Sequence, residues 1–287
     1  MKKVHLRSYA KINLNLRVVG EQGGYHLLDS VVASIDMFDA ISLSKRKDGK
    51  VTFRCSDPEI EMIAHEKNTA VRAAHAFMTA FGTTGVDISV HKGIPVGAGL
   101  GGSSADIAGV LCGMKKLYKI SADVAPIAGA LSSDGAYQTV GGFARLAGKG
   151  DDAAFYESKG FFYALLVLPE TPSSTAAVFA EYDRGGYQGG DKSLTDEAWI
   201  ALQSLDVPRL GKALSNDLFA PACALNPQIK EAYDALVALG PIGAVMSGSG
   251  SAVVGLFESK ELVWWAMSRL KRKFNCYTVK VLGNPRP

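Results

Sequence analysis

Between positions 4 and 18 the even positions carry Val4, Leu6, Ser8, Ala10, Ile12, Leu14, Leu16 and Val18, and the odd ones His5, Arg7, Tyr9, Lys11, Asn13, Asn15 and Arg17. A period of two sustained this far predicts an extended strand, bent or split, with one buried face and one polar face. Lys11 and Asn13 then project to the same side. Shorter strands are predicted over residues 40–45, 51–55 and 87–92, separated by turn-rich segments.

Helical spacing takes over after residue 68. Asn68 is a good N-cap, Val71, Ala74, Phe77, Met78 and Phe81 share one face, and Gly82 suits the position just past a helix end. A second helix is predicted over residues 104–118, with Ile107, Val110, Leu111, Met114 and Leu117 in helical register. The polar stretch 151–160 suggests a boundary, after which an apolar strand over residues 161–168 restarts the pattern. Residues 183–191 read as a flexible surface loop, and Asn226-Pro227 opens a helix. Residues 243–282 read strand, glycine turn, strand, helix (260–274), strand. Strands and helices mixed without a strict β-α-β rhythm predict an α+β fold in two domains, residues 1–155 and 156–287.

Composition narrows the class further. Hydrophobic residues make up 47% and charged residues 21% of the chain, as in an ordinary globular protein and unlike a disordered one. A net charge of +3 is too small to predict a nucleic-acid partner, and the one basic cluster, Arg269, Lys271, Arg272 and Lys273, reads as the solvated end of a helix. Cys55, Cys112, Cys223 and Cys276 lie far apart, which argues against a disulfide framework or a zinc site and for reduced thiols in the cytoplasm. The N-terminal residues keep charging and open into no apolar segment, so no signal peptide is expected. No apolar run approaches the ~20 residues that span a bilayer. A soluble monomer or homodimer acting on small molecules is the expectation.

The chemistry concentrates in residues 95–106. Pro95, Val96, Gly97, Ala98, Gly99, Leu100, Gly101 and Gly102 lead into Ser103, Ser104, Ala105 and a helix. Glycines let backbone N–H groups approach a ligand closely, and a helix start adds its dipole, so the segment predicts a phosphate cradle. The serine hydroxyls can donate to phosphate oxygens. No G-K-[ST] follows, so this is not a Walker A loop, and no parallel β-α-β unit surrounds it, which excludes the dinucleotide-binding fingerprint. A second glycine turn, Ser247-Gly248-Ser249-Gly250, is expected to close over the same phosphates or pack beside the first loop.

The P-x-G-x-G-L-G-G-S-S-A loop, the early Ala10-Lys11-Ile12-Asn13-Leu14 strand and the late S-G-S-G turn together resemble the GHMP kinase superfamily. Gly24-Tyr25-His26-Leu27, Thr171-Pro-Ser-Ser-Thr-Ala176 and Asn216-Asp217-Leu218 resemble its branch that phosphorylates a cytidine diphosphate ester of methylerythritol. The resemblance implies an N-terminal domain like domain 2 of ribosomal protein S5 and a ferredoxin-like C-terminal domain. It also implies ATP and Mg2+ in the cleft between them, and a cytidine diphosphate sugar alcohol as phosphate acceptor. Another kinase of the superfamily, acting on homoserine, mevalonate or a sugar, shares most of these motifs, as does a nucleotide-binding homologue without turnover; Gly24-Tyr25-His26 favours the cytidine branch.

Carried over residue by residue, the resemblance makes Lys11 and Asp134 the catalytic pair. Tyr25 and His26 become readers of the cytidine, Asn13 and Thr175 substrate contacts, and Phe179 the opposite wall of the base stack. Around Asp134 the chain reads Ser132-Ser133-Asp134-Gly135-Ala136-Tyr137-Gln138, where the family usually carries G-A-D-V-P. Ser103 stands where a third glycine is usual.

Overall fold

The computed structural model describes residues 3–150, 152–191 and 193–285. Met1 and Lys2, read above as part of a charged N-terminus, and Asp151, the first residue of the proposed boundary, lie outside them. The strands are β1 (Lys3–Gln22), β2 (Tyr25–Lys45), β3 (Val51–Cys55), β4 (Val86–His91), β5 (Phe143–Gly148), β6 (Asp152–Tyr156), β7 (Phe161–Leu168), β8 (Ser215–Asn216), β9 (Gly243–Met246), β10 (Val253–Phe257) and β11 (Asn275–Leu282).

β2 is the spine of the sheet. Along one edge it pairs with β1 almost throughout, and along the other it meets three partners in succession. Leu28–Ala33 pair with β5, Ser34 and Ile35 with β11, and Ala40–Lys45 with β4. Sequence reading found only the last six residues of this strand. Its first part mixes polar Asp29, Ser30 and Ser34 into both faces, so no clean alternation survives.

β1 bends through register shifts at Tyr9/Lys11, Asn13/Asn15 and Val18/Gly20, each a place where an extra residue sharpens strand twist. The expectation of an apolar and a polar face holds in chemistry, but from Ala10 to Arg17 both faces are buried. The apolar face joins a core with Ile35, Leu166 and Val254. On the polar face Asn13, Asn15 and Arg17 find polar partners in the second half of the chain, at Ser247, at Ala213 and Thr195, and at Asp217, while Lys11 meets Asp134.

The Thr69–Phe81 helix starts where predicted, with the Asn68 side chain accepting from the amides of Ala70 and Val71 at 3.0 and 3.2 Å. It packs with the Gly102–Tyr118 helix against β2 and β4, enclosing Phe77, Ile88, Ile107, Leu111 and Met114. Each of these buried side chains contributes about 1.5–3 kcal/mol of transfer free energy. The last helix ends at Leu270 and not at Phe274, because Asn275 already pairs with β7; Arg269, Lys271, Arg272 and Lys273 are exposed at its C-terminal end, as expected. The Thr175–Arg184 and Ser193–Ser204 helices were not predicted; the second buries only Thr195, Ala198, Ala201 and Leu202, a pattern too weak to show in sequence. The 183–191 segment is anchored, with Tyr187 against Tyr182 and the Gly190 amide donating to Asp217.

Candidate active site

Four successive carbonyls of the glycine loop are held by the protein. Gly97 accepts from the Ser173 amide, Ala98 from the Ala252 amide, Gly99 from the Ser247 hydroxyl and Leu100 from the Lys11 amide, at 2.9–3.1 Å. This points the loop's carbonyl side inward and leaves the helix start, with its unpaired N–H groups, facing a cleft of about 520 Å³. Gly97, Gly99 and Gly101 are sterically required: a Cβ on Gly97 (φ +65°) would sit 2.6 Å from Pro172 Cβ. A Cβ on Gly99 (φ +73°) would sit 2.2 Å from the Ser247 carbonyl oxygen, and one on Gly101 (φ +72°) 2.9 Å from Gln138 Nε2 and 3.0 Å from Lys11 Cγ. Ser103 is no obstacle of this kind: it lies in the first helical turn, exposed to the cleft.

The second glycine turn packs beside the first loop. Ser247 is fully buried, donating to Gly99 and accepting from the Asn13 amide at 3.1 Å. Gly248 and Ser249 line the cleft, while Gly250, at φ +88°, lies against Met246 and Ser173. Asn216 braces the turn by donating to the carbonyls of Met246 and Gly248 at 2.7 and 2.8 Å.

Lys11 Nζ lies 3.1 Å from Asp134 Oδ2 and donates to Asn13 Oδ1 at 2.6 Å. Strand alternation brings Lys11 and Asn13 together, as predicted; the meeting with Asp134 is tertiary. Asp134 precedes the short Gly135–Gln138 helix, and the unusual residues around it have structural work. A Cβ on Gly135 would meet the Ala128 carbonyl oxygen at 2.1 Å. Tyr137 is fully buried and donates to the Gly142 carbonyl at 2.8 Å; burial pushes its phenol well above the usual range. These contacts fix the turn that aims Asp134 at Lys11.

The residues expected to contact the acceptor are less assembled. Thr175 lines the cleft, its hydroxyl 2.7 Å from that of Ser249. Phe179 also lines it, with the His26 ring stacked on it at 4.6 Å between centroids, and His26 Nε2 lies 2.7 Å from Asp183 Oδ1. Tyr25 is exposed, with the Lys149 ammonium 4.3 Å from its ring centre. Of these residues Thr175 and Phe179 line the cleft, whereas Tyr25 and His26 are not part of its lining.

Sequence reading missed the far end of the cleft, where Phe53, Ile60, Ile63 and Asn68 form a wall suited to an apolar ring. It also missed Lys92, and it gave no role to Asp106, the charged residue that ends the glycine loop. Among the described residues no group of three or more His, Cys, Asp or Glu could hold a metal ion. No helix among those residues is long and apolar enough to cross a membrane.

The family models for the GHMP kinases N terminal domain and the GHMP kinases C terminal region match residues 68–156 and 200–275. A 4-diphosphocytidyl-2-C-methyl-D-erythritol kinase of Thermobifida fusca is 33% identical, over 99% of this chain and 96% of that one. The chain belongs to this kinase family. A kinase of the same name from Moorella thermoacetica is 33% identical over 94% of the chain and 95% of its own length. A crystal structure of a 4-(cytidine 5'-diphospho)-2C-methyl-D-erythritol kinase superposes with a TM-score of 0.82 at 29% identity, over 98% of this chain and all of that one. A homoserine kinase from Cytophaga hutchinsonii, at 17% identity, shares the fold with a TM-score of 0.70 over 96% of this chain and 95% of its own. The α+β fold of a GHMP kinase, expected from the motifs, is the fold observed, and the chain is an ATP-dependent kinase by family.

Proposed function

We propose that the protein transfers the γ-phosphoryl group of MgATP to the 2-hydroxyl of 4-diphosphocytidyl-2-C-methyl-D-erythritol, a step of non-mevalonate isoprenoid precursor synthesis carried out in the cytoplasm. Lys11 and Asp134, 3.1 Å apart at the foot of the glycine loop, carry this reading. The hydroxyl oxygen attacks the γ-phosphorus, the bond from that phosphorus to the bridging oxygen breaks, and ADP leaves. Asp134 takes the hydroxyl proton, while Lys11 holds the Asp134 carboxylate in place and balances charge on the moving phosphoryl group. The glycine loop from Pro95 to Ala105 orients the phosphates, with the turn Ser247, Gly248, Ser249 and Gly250 bracing it through Ser247.

For the acceptor, Asn13 and Thr175 face the hydroxyl-bearing chain, and Tyr25, His26 and Phe179 take the cytosine. Domains 1–155 and 156–287 supply the two walls. An ADP-release assay with the cytidine diphosphate ester, homoserine, mevalonate and a hexose as alternative acceptors tests the proposal. Turnover restricted to the cytidine compound is expected; turnover with another alcohol alone would replace the substrate assignment.

A further inference from the structure

Beneath the glycine loop lies a charged chain that the reaction as described does not use. Asp39, on β2, is fully buried, and its Oδ1 accepts from the amides of Gly93 and Ile94 at 2.7 and 2.9 Å, where the loop leaves the sheet. Its other oxygen accepts from Lys92 Nζ. Lys92 Nζ also donates to Asp106 Oδ2 at 2.8 Å, in the first turns of the helix the loop runs into. Asp106 is 6% exposed, and its Oδ1 has no partner. A Cβ built on Gly102 would fall 3.8 Å from the Lys92 ammonium, so this cation sits directly under the phosphate-binding helix start.

We propose that Asp39, Lys92 and Asp106 act as a strut that fixes the distance between the two ends of the glycine loop, making Asp106 a positioning residue for the phosphates of ATP. The reason is energetic. Buried carboxylates and an ammonium persist only when mutually paired, and removing one partner of such a set is costly. The two attachment points, amides 93–94 and residue 106, flank the segment whose backbone must meet the phosphates. A loop rich in glycine has no stiffness of its own, so its width has to be set from outside.

The unpartnered Asp106 oxygen makes the strut responsive to protons. Burial pushes the Asp106 carboxyl up to about 7, with the Asp39 charge adding to the rise and Lys92 opposing it. Lys92 stays charged: burial lowers its proton affinity, but the attraction of Asp106 and Asp39 outweighs that. The groups facing Asp106 are Lys92 and Asp39, with the Cys55 thiol on β3 in electrostatic reach. Once Asp106 is protonated, Lys92 keeps a single ionised partner and the helix end of the strut slackens.

The inference rests on the ATP-binding role given to the loop, and it is tested with ATP itself. Asp106→Asn keeps the shape and removes the charge. Titration calorimetry of MgATP binding should show about tenfold weaker affinity than the parent chain at pH 8.5, shrinking to less than about twofold at pH 6, where the parent is protonated too. The KM for the acceptor should stay within about twofold at both pH values. Asp39→Asn combined with Lys92→Met and Asp106→Leu removes all three charges together, keeps an oxygen at residue 39 for the amides of Gly93 and Ile94, and should fold while still binding ATP weakly. Equal ATP affinity in Asp106→Asn and parent, a ratio independent of pH, or a parallel rise in acceptor KM would each overturn the strut. Because the calorimetry needs no acceptor, failure of the parent chain to phosphorylate the cytidine compound counts against the proposed function and leaves this result standing.

Discussion

Lys11 Nζ lies 3.1 Å from Asp134 Oδ2, joining the first strand to a short helix that begins in the middle of the chain. The lysine side chain is 6% exposed and the aspartate 27%, so the lysine is locked while the carboxylate keeps a face toward the cleft. A base must reach its proton, and its partner must not swing away. Asp134→Asn is expected to lower kcat by about 10²- to 10⁴-fold, with the KM for ATP little changed. Steady-state kinetics in both substrates measure this, and an unaltered kcat would remove Asp134 from the mechanism.

The glycine loop offers an internal control for backbone strain. Gly99→Ala places a methyl group 2.2 Å from the Ser247 carbonyl oxygen at φ +73°, so two loops must part. Gly186→Ala, at φ +63° with nothing within 4 Å, imposes the same kind of strain away from the cleft. Each conformation costs a non-glycine residue about 1–3 kcal/mol. Only Gly99→Ala should also abolish measurable ATP binding by calorimetry; loss of binding in both would mean that the loop contact is irrelevant.

On the acceptor side, Phe179 presents one ring to the cleft and carries His26 on it at 4.6 Å. A base stacked on an aromatic ring is worth about 1–3 kcal/mol. Phe179→Ala should therefore raise the acceptor KM by roughly 5- to 150-fold and leave the ATP KM alone. The same rise in both constants would place Phe179 in general packing.

Far from the phosphates, Arg17 and Asp217 form a buried pair at 3.0 Å, with 2% and 4% of their side chains exposed. Asp217 also accepts from the amides of Val18 and Gly190. Asp217→Ala strands a buried guanidinium and two amides, and should cost about 3–5 kcal/mol, or on the order of 10 °C in Tm. Calorimetric melting checks this; a change under about 2 °C would show that water replaces the carboxylate.

Asp106 also predicts a pH dependence of stability. Its carboxyl rises from the ordinary 3.8 to about 7 on folding, chiefly through burial. Between those values the folded chain holds a proton that the unfolded chain has lost, so this group's contribution to stability falls as pH rises through the window. The stability of the parent chain relative to Asp106→Asn should therefore decline from pH 4 to pH 7.5 in denaturant titrations. A flat or rising difference would contradict the burial of an ionisable carboxyl there.

The sequence by itself determined whatever depends on near neighbours. The caps of the Thr69–Phe81 helix, the helix following the glycine loop, and the shared direction of Lys11 and Asn13 are set by spacing along the chain. The glycine loop that opens this helix was legible for the same reason, since glycine density and a helix start are local properties. Tertiary structure decided what lies across the sheet. It buried the polar face of β1, brought Asp134 to Lys11 through a turn held by Gly135 and Tyr137, and joined Asp39, Lys92 and Asp106 beneath the loop. An aspartate carries no periodic signal of its own. Its meaning comes from the charge it meets, and that meeting is fixed by the packing of distant strands.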